Sequence, residues 1–198
     1  MFKVLKILIV LILFWVAPVS ASQTSSVVAL FDKETSTRIE RLLQNRNISS
    51  AALVGVSRLF SHEEIFKLYQ QRDFLPIWID GWQLRPEAQT LLENLRGAGE
   101  HGLCGNDYLL VELEGLLRIH GDFARHNLPL APDNRAVLDL FLSQAFLTFA
   151  THMVEGQVDP ALAHVDWRAR RRKADLIKLL GYAIENRRMS QVLESLIP

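Results

Sequence analysis

The sequence predicts a mostly α protein, a single helical bundle interrupted by one extended Pro-x-Trp segment. Three observations carry that expectation. Leucine and aromatic residues recur at three- and four-residue spacing through "LRPEAQTLLENLRGAG", "NDYLLVELEGLLRIHG" and "DNRAVLDLFLSQAFLTFATHMVEG". No stretch shows the strict apolar–polar alternation of a half-buried strand. Between helical patterns, "DFLPIWIDGW" breaks the period, because Pro76 lacks an amide donor and drives Leu75 to an extended conformation.

Taken in order, residues 1–21 read as a signal peptide. Lys3 and Lys6 precede a nearly unbroken apolar run from Ile7 to Ala17, and Val19 and Ala21 occupy the small-residue positions of a cleavage site. A membrane-spanning helix needs ~20 apolar residues, and polar "SQTSS" arrives before that length is reached. An uncleaved anchor is the alternative. The expected destination is the periplasm. Without Lys3 and Lys6, 20 basic residues face 22 acidic ones, a net charge near −2. Such a balance offers no global field for nucleic acid or an anionic membrane.

Residues 22–58 predict a weakly structured segment with one short helix around Ile39, Leu42 and Leu43. The helical domain proper is expected over residues 59–198. "LFSHEEIFKLYQQR" opens it: Ser61 and Glu64 form a capping box, and Ile65, Phe66, Leu68 and Tyr69 give one apolar side. After the Pro-x-Trp crossing, Pro86 suits the first turn of a helix whose face is Ala88, Leu91, Leu92 and Leu95. Gly97 and Gly99 end it. Asn106 or Asp107 is placed to cap the next helix, Leu109 to Leu117, and the two are expected to form an antiparallel hairpin. The long helix, expected to be capped by Asp133 and ended by Gly156, is apolar around most of its circumference, so it should run through the middle of the domain. "KADLIKLLGYAIENRR" gives a last amphipathic helix, and "MSQVLESLIP" a short apolar tail.

The candidate chemistry is sparse. Cys104, the only cysteine, lies three residues after His101 in a glycine-rich turn. A thiolate nucleophile needs a neighbouring cation or base and a third group to orient it; no third group is evident, so a structural thiol is the favoured reading. A lone cysteine in an oxidising compartment is either buried or free to link two chains, which makes a disulfide-linked dimer through Cys104 a candidate state. The six histidines are scattered without ligand spacing, so no metal is expected, and no glycine-rich phosphate loop calls for a nucleotide cofactor. "WRARRRK" gathers Arg168, Arg170, Arg171, Arg172 and Lys173, which could grip carboxylates or phosphates; a solvated face is the plainer reading. Trp78 and Trp82, with Tyr69 and Phe74, could line a stacking groove, although such residues more often wedge helices together.

Three pieces in order carry a resemblance. "IFKLYQQRDFLPIWID", "LRPEAQTLLENLRGAGEHGLCGNDY" and "LDLFLSQAFLTFATHMVEGQVDP", with Trp167 beyond, resemble the helical scaffold domain of bacterial L,D-transpeptidases over roughly residues 60 to 197. The resemblance implies a periplasmic role in peptidoglycan cross-linking and cell-wall biogenesis. In that family a cysteine in a His…Ser-x-Gly-Cys motif of a separate catalytic domain attacks the peptide stem; the motif is absent here, and Cys104 falls instead in the scaffold turn where relatives tend to have Asp-Pro. The implied function is a non-catalytic exported scaffold whose partners are an L,D-transpeptidase catalytic domain, another cell-wall enzyme or peptidoglycan itself. The alternatives are a thiol-dependent envelope enzyme using Cys104 and His101, or the front fragment of a split L,D-transpeptidase.

Overall fold

One helix organises the molecule. In the computed structural model, which describes residues 21–44, 62–81, 83–126, 130–157 and 173–197, the helix Pro132–Glu155 is buried along nearly its whole length. The described residues form seven α-helices: α1 (Ala21–Gln44), α2 (His62–Gln70), α3 (Pro86–Arg96), α4 (Leu110–Arg125), α5 (Pro132–Glu155), α6 (Leu176–Glu185) and α7 (Met189–Leu196). The mostly α expectation holds. By length and composition α5 could cross a membrane, but 83% of its most apolar window is buried inside the fold, as expected of a core helix. It touches α1, α3, α4, α6 and α7, so each of them takes its position from the same rod.

The N-terminal helix is the largest departure from the sequence reading. In place of one short helix near Ile39, α1 extends for 24 residues and packs along α5. Its stripe runs through half-buried Val28 and Phe31 to buried Thr35, Ile39 and Leu43. Thr35, Ser36 and Thr37 conceal their polarity by donating their hydroxyls to the carbonyls of Phe31, Asp32 and Lys33, four residues back, at 2.8, 2.8 and 3.0 Å.

The capping box needs Ser61, which lies outside the described residues, as do the signal segment before Ala21, Trp82, Trp167 and the arginines Arg168, Arg170, Arg171 and Arg172. After α2 the chain turns through Asp73 and Phe74, both with positive φ (52° and 58°). The Phe74 amide donates to Tyr69 O at 2.9 Å, and its ring meets Phe66 edge-on with centroids 5.6 Å apart. Leu75–Trp78, with bends at Ile77 and Trp78, then lead into a hairpin of two two-residue strands, β1 (Ile79–Asp80) and β2 (Gln83–Leu84), with Ile79 opposite Leu84. No alternation could announce strands so short. Gly81 opens the loop at φ +58°, and an added Cβ would sit 3.2 Å from Val28 Cγ1, so α1 closes directly over the hairpin.

α3 has Pro86 at its start, and Ala88, Leu91, Leu92 and Leu95 are fully buried, as their spacing predicts. Its main neighbour is α7 rather than α4, whose link to it includes Arg96 Nε on Glu114 Oε1 at 2.8 Å, close to the connecting turn. Two short 3-10 turns, Ala98–His101 and Gly105–Tyr108, make that connection. Neither Asn106 nor Asp107 caps α4: the N-cap is Leu109, in the left-handed region at φ 59°, and Asp107 Oδ2 accepts from Gln157 Nε2 at 2.9 Å. Nor does Asp133 cap α5, which starts at Pro132 after Ala131; Asp133 pairs with Arg38 of α1 at 3.2 Å. α6 does carry a side-chain cap, Asp175 Oδ1 accepting from Lys178 N at 3.1 Å. The apolar tail is a helix, α7, which buries Met189, Val192, Leu193 and Leu196.

Candidate functional site

The polar residues inside α5 define the best-built site. Arg135, Asp139 and Ser143 recur at four-residue spacing on a helix that is mostly apolar, and all three are buried. Asp139 Oδ1 accepts from the Ile77 amide (2.8 Å) and Tyr69 OH (2.7 Å), and Oδ2 accepts from the Trp78 amide (2.8 Å). Ser143 Oγ lies 2.7 Å from Tyr69 OH and accepts from Trp78 Nε1 at 2.9 Å. One proton order satisfies the chain: indole to serine, serine to tyrosine, tyrosine to carboxylate. The aspartate therefore fastens both amides of the extended segment to the central helix, and the serine fastens its tryptophan.

Electrostatics oppose geometry here. Burial raises the Asp139 pKa to about 6, with the Ile77, Tyr69 and Trp78 hydrogen bonds and the Arg135 charge pulling it back down. The carboxylate is thus ionised at neutral pH. Burial, then the Asp139 charge, push the Tyr69 phenol well above its ordinary value, so it stays a donor. One turn earlier on α5, Arg135 Nη2 donates to Asp32 Oδ1 of α1 at 2.7 Å and to Gly81 O at 2.5 Å, tying hairpin, α1 and α5 together. Arg135 Nε and Nη1 have no hydrogen-bond partner among the described residues.

At the other end of α5, His152 Nδ1 lies 2.9 Å from Tyr108 OH, with the rings edge-on. Burial lowers the His152 pKa, keeping the ring neutral; burial and the Asp107 charge raise Tyr108 to about 12. The pair joins the turn before α4 to the end of the core helix. Both polar clusters hold elements in place, because their hydrogen bonds run to other parts of the chain.

A family model described as a scaffold domain matches residues 63–198, roughly two thirds of the chain. The chain belongs to that family. No curated protein and no solved structure gave a match. Helix α1 precedes the residues matched to the scaffold domain, yet Asp32 and Arg38 fasten it to their central helix.

The scaffold domain disposes of the predicted site residues unevenly. Trp78 cannot line a stacking groove: it is 0% exposed, its indole N–H is bonded to Ser143, and its ring packs against Phe146. Cys104 is exposed and free, and His101 beside it is exposed. No hydrogen bond among the described residues joins the thiol to an imidazole or any other base, so nothing there prepares a thiolate. Lys173 is exposed, while the rest of the basic run lies outside the described residues. No cluster of three or more metal-ligating side chains occurs among the described residues. The residues that sequence reasoning passed over are Asp139, Ser143, Arg135 and Tyr108. Their signal was available: a polar side chain every fourth position on an apolar helix needs a buried partner.

Proposed function

We propose that this chain is an exported, non-catalytic scaffold of the L,D-transpeptidase type, acting in peptidoglycan cross-linking by docking on a cell-wall enzyme's catalytic domain. The scaffold-domain match over residues 63–198 carries the reading. It is supported by the sequence resemblance to L,D-transpeptidase scaffolds and by one surface. On α4, Val111, Ile119 and Phe123 are 62%, 41% and 39% exposed and lie at multiples of four residues, in a stripe that begins opposite buried Leu113 at Val111 and drifts to its flank at Phe123. That apolar stripe is the docking face, and the basic run ending at Lys173 is a second contact for acidic wall polymers.

The test is affinity capture from a periplasmic extract with the full chain as bait, alongside co-sedimentation with isolated sacculi. A transpeptidase or another murein enzyme should be retained, and Ile119→Glu with Phe123→Glu should release it while leaving the melting temperature within about 2 °C, as surface changes do. A chain that recovers no wall enzyme and ignores sacculi refutes the proposal. So does purified protein that rearranges muropeptides alone and stops when Cys104 becomes serine.

A further inference from the structure

A cleft of ≈ 390 Å³ opens between the first turn of α3 and the α6–α7 turn, lined by Glu87, Thr90, Arg187, Arg188, Ser190 and Gln191 among others. Its floor is unusual. Glu87 is only 5% exposed and faces the cleft, yet its carboxylate makes no hydrogen bond or ion pair with any described residue. Its oxygens are left for a donor that arrives through the cleft.

The opposite wall has the other sign. Arg187, held in the turn with φ 54°, has no side-chain partner among the described residues, and Arg188 Nη1 donates to Gln191 Oε1 at 2.8 Å. The α7 ladder starts with the Val192 amide on Arg188 O at 3.0 Å, so the amides of Met189, Ser190 and Gln191 lie ahead of it at the positive end of the helix.

From this arrangement we infer that the cleft binds a zwitterion: an α-amino acid, or the free amino-acid end of a short peptide. A plain anion entering it meets Glu87. A plain cation meets two guanidinium groups and a helix N-terminus. A ligand carrying an ammonium and a carboxylate on one carbon satisfies both walls, the ammonium donating to Glu87 and the carboxylate accepting from Arg187, Ser190 and the first α7 amides. The volume lies within the range of small-molecule sites and leaves room for a side chain or a second residue. This site stands apart from the α4 face and does not depend on the cell-wall reading.

The experiment is a titration of the isotope-labelled full chain by NMR, with L-alanine and D-alanine as probes and acetate and ethylamine as single-charge controls. Either alanine should shift the Glu87, Thr90, Ser190 and Gln191 amides saturably, with each control binding at least about tenfold more weakly, since each lacks one charge-assisted contact. Glu87→Gln and Arg187→Asn should each weaken alanine by about tenfold or more. Asparagine tolerates the left-handed backbone of position 187, so that variant keeps the turn even if Glu87→Gln disturbs α3. Acetate binding as tightly as alanine, shifts that do not saturate, or folded variants that bind like the wild type would each overturn the inference.

Discussion

Replacing Tyr69 with phenylalanine tests the buried network at its most informative atom. The hydroxyl donates to Asp139 Oδ1 at 2.7 Å and lies 2.7 Å from Ser143 Oγ, while the ring itself is fully buried and would stay in place. Above pH 7 the acceptor is a charged carboxylate, and a hydrogen bond to such a group is worth about 1.5–3 kcal/mol. Near pH 4.5 the folded protein holds Asp139 protonated, because its pKa is raised from 3.8 to about 6, and a neutral hydrogen bond is worth about 1 kcal/mol. The cost of Tyr69→Phe should therefore be larger at pH 7.5 than at pH 4.5. The wild type follows from the same sign: a carboxyl whose folded pKa exceeds its unfolded one contributes most below pH ~4. That contribution fades as pH rises through ~6, by roughly 3 kcal/mol in all. In Tyr69→Phe the fading should extend to higher pH, since a bond that lowers the Asp139 pKa is gone. Urea unfolding followed by circular dichroism at both pH values gives the numbers. Equal costs at the two pH values, or a greater cost in acid, would show that the Asp139 charge is not what the phenol supports.

Further outcomes follow from contacts elsewhere in the fold. At Gly105 an added Cβ would lie 2.6 Å from Leu95 O and 2.8 Å from Leu110 Cδ2, so Gly105→Ala should cost about 1–3 kcal/mol by overpacking, or about 2–4 °C of melting temperature per kcal/mol. Gly99→Ala meets nothing within 4 Å and should be neutral within about 0.5 kcal/mol; calorimetry of the pair checks both. Asp32→Ala removes the carboxylate from a fully buried Arg135, and because Asp32 is itself partly solvated the loss should be about 2 kcal/mol, with amide exchange quickening first along α1. Cys104, exposed and without a hydrogen-bonded base, should be alkylated by iodoacetamide no faster than glutathione. In air it should give a non-reducing gel band at twice the chain mass that disappears with reductant.

The helices that announced themselves did so by leucine. The α3 face was readable residue by residue because Ala88, Leu91, Leu92 and Leu95 are apolar and their neighbours are not. α1 was harder, since three of the five residues in its stripe are Thr35 and the half-covered Val28 and Phe31, and threonine hides its hydroxyl only once a helix offers it a carbonyl. The caps failed for a related reason. Asp107 and Asp133 look like N-caps by position, but each is drawn to a partner distant in sequence, Gln157 and Arg38. The Asp139 network joins positions 61 to 74 residues apart, which no local window spans. What was visible there was only that Asp139 and Ser143 had no business in an apolar helix without company.

That separation also sets a timetable. Asp32 meets Arg135 across 103 positions, and Tyr69 meets Asp139 across 70. Nothing in the leading half can settle until the late central rod has been synthesised, because contacts closing such long loops form slowly and only after their entropy cost is met. For most of its passage out of a ribosome, the polypeptide stays a pliable thread; it becomes a solid body only when the rod arrives.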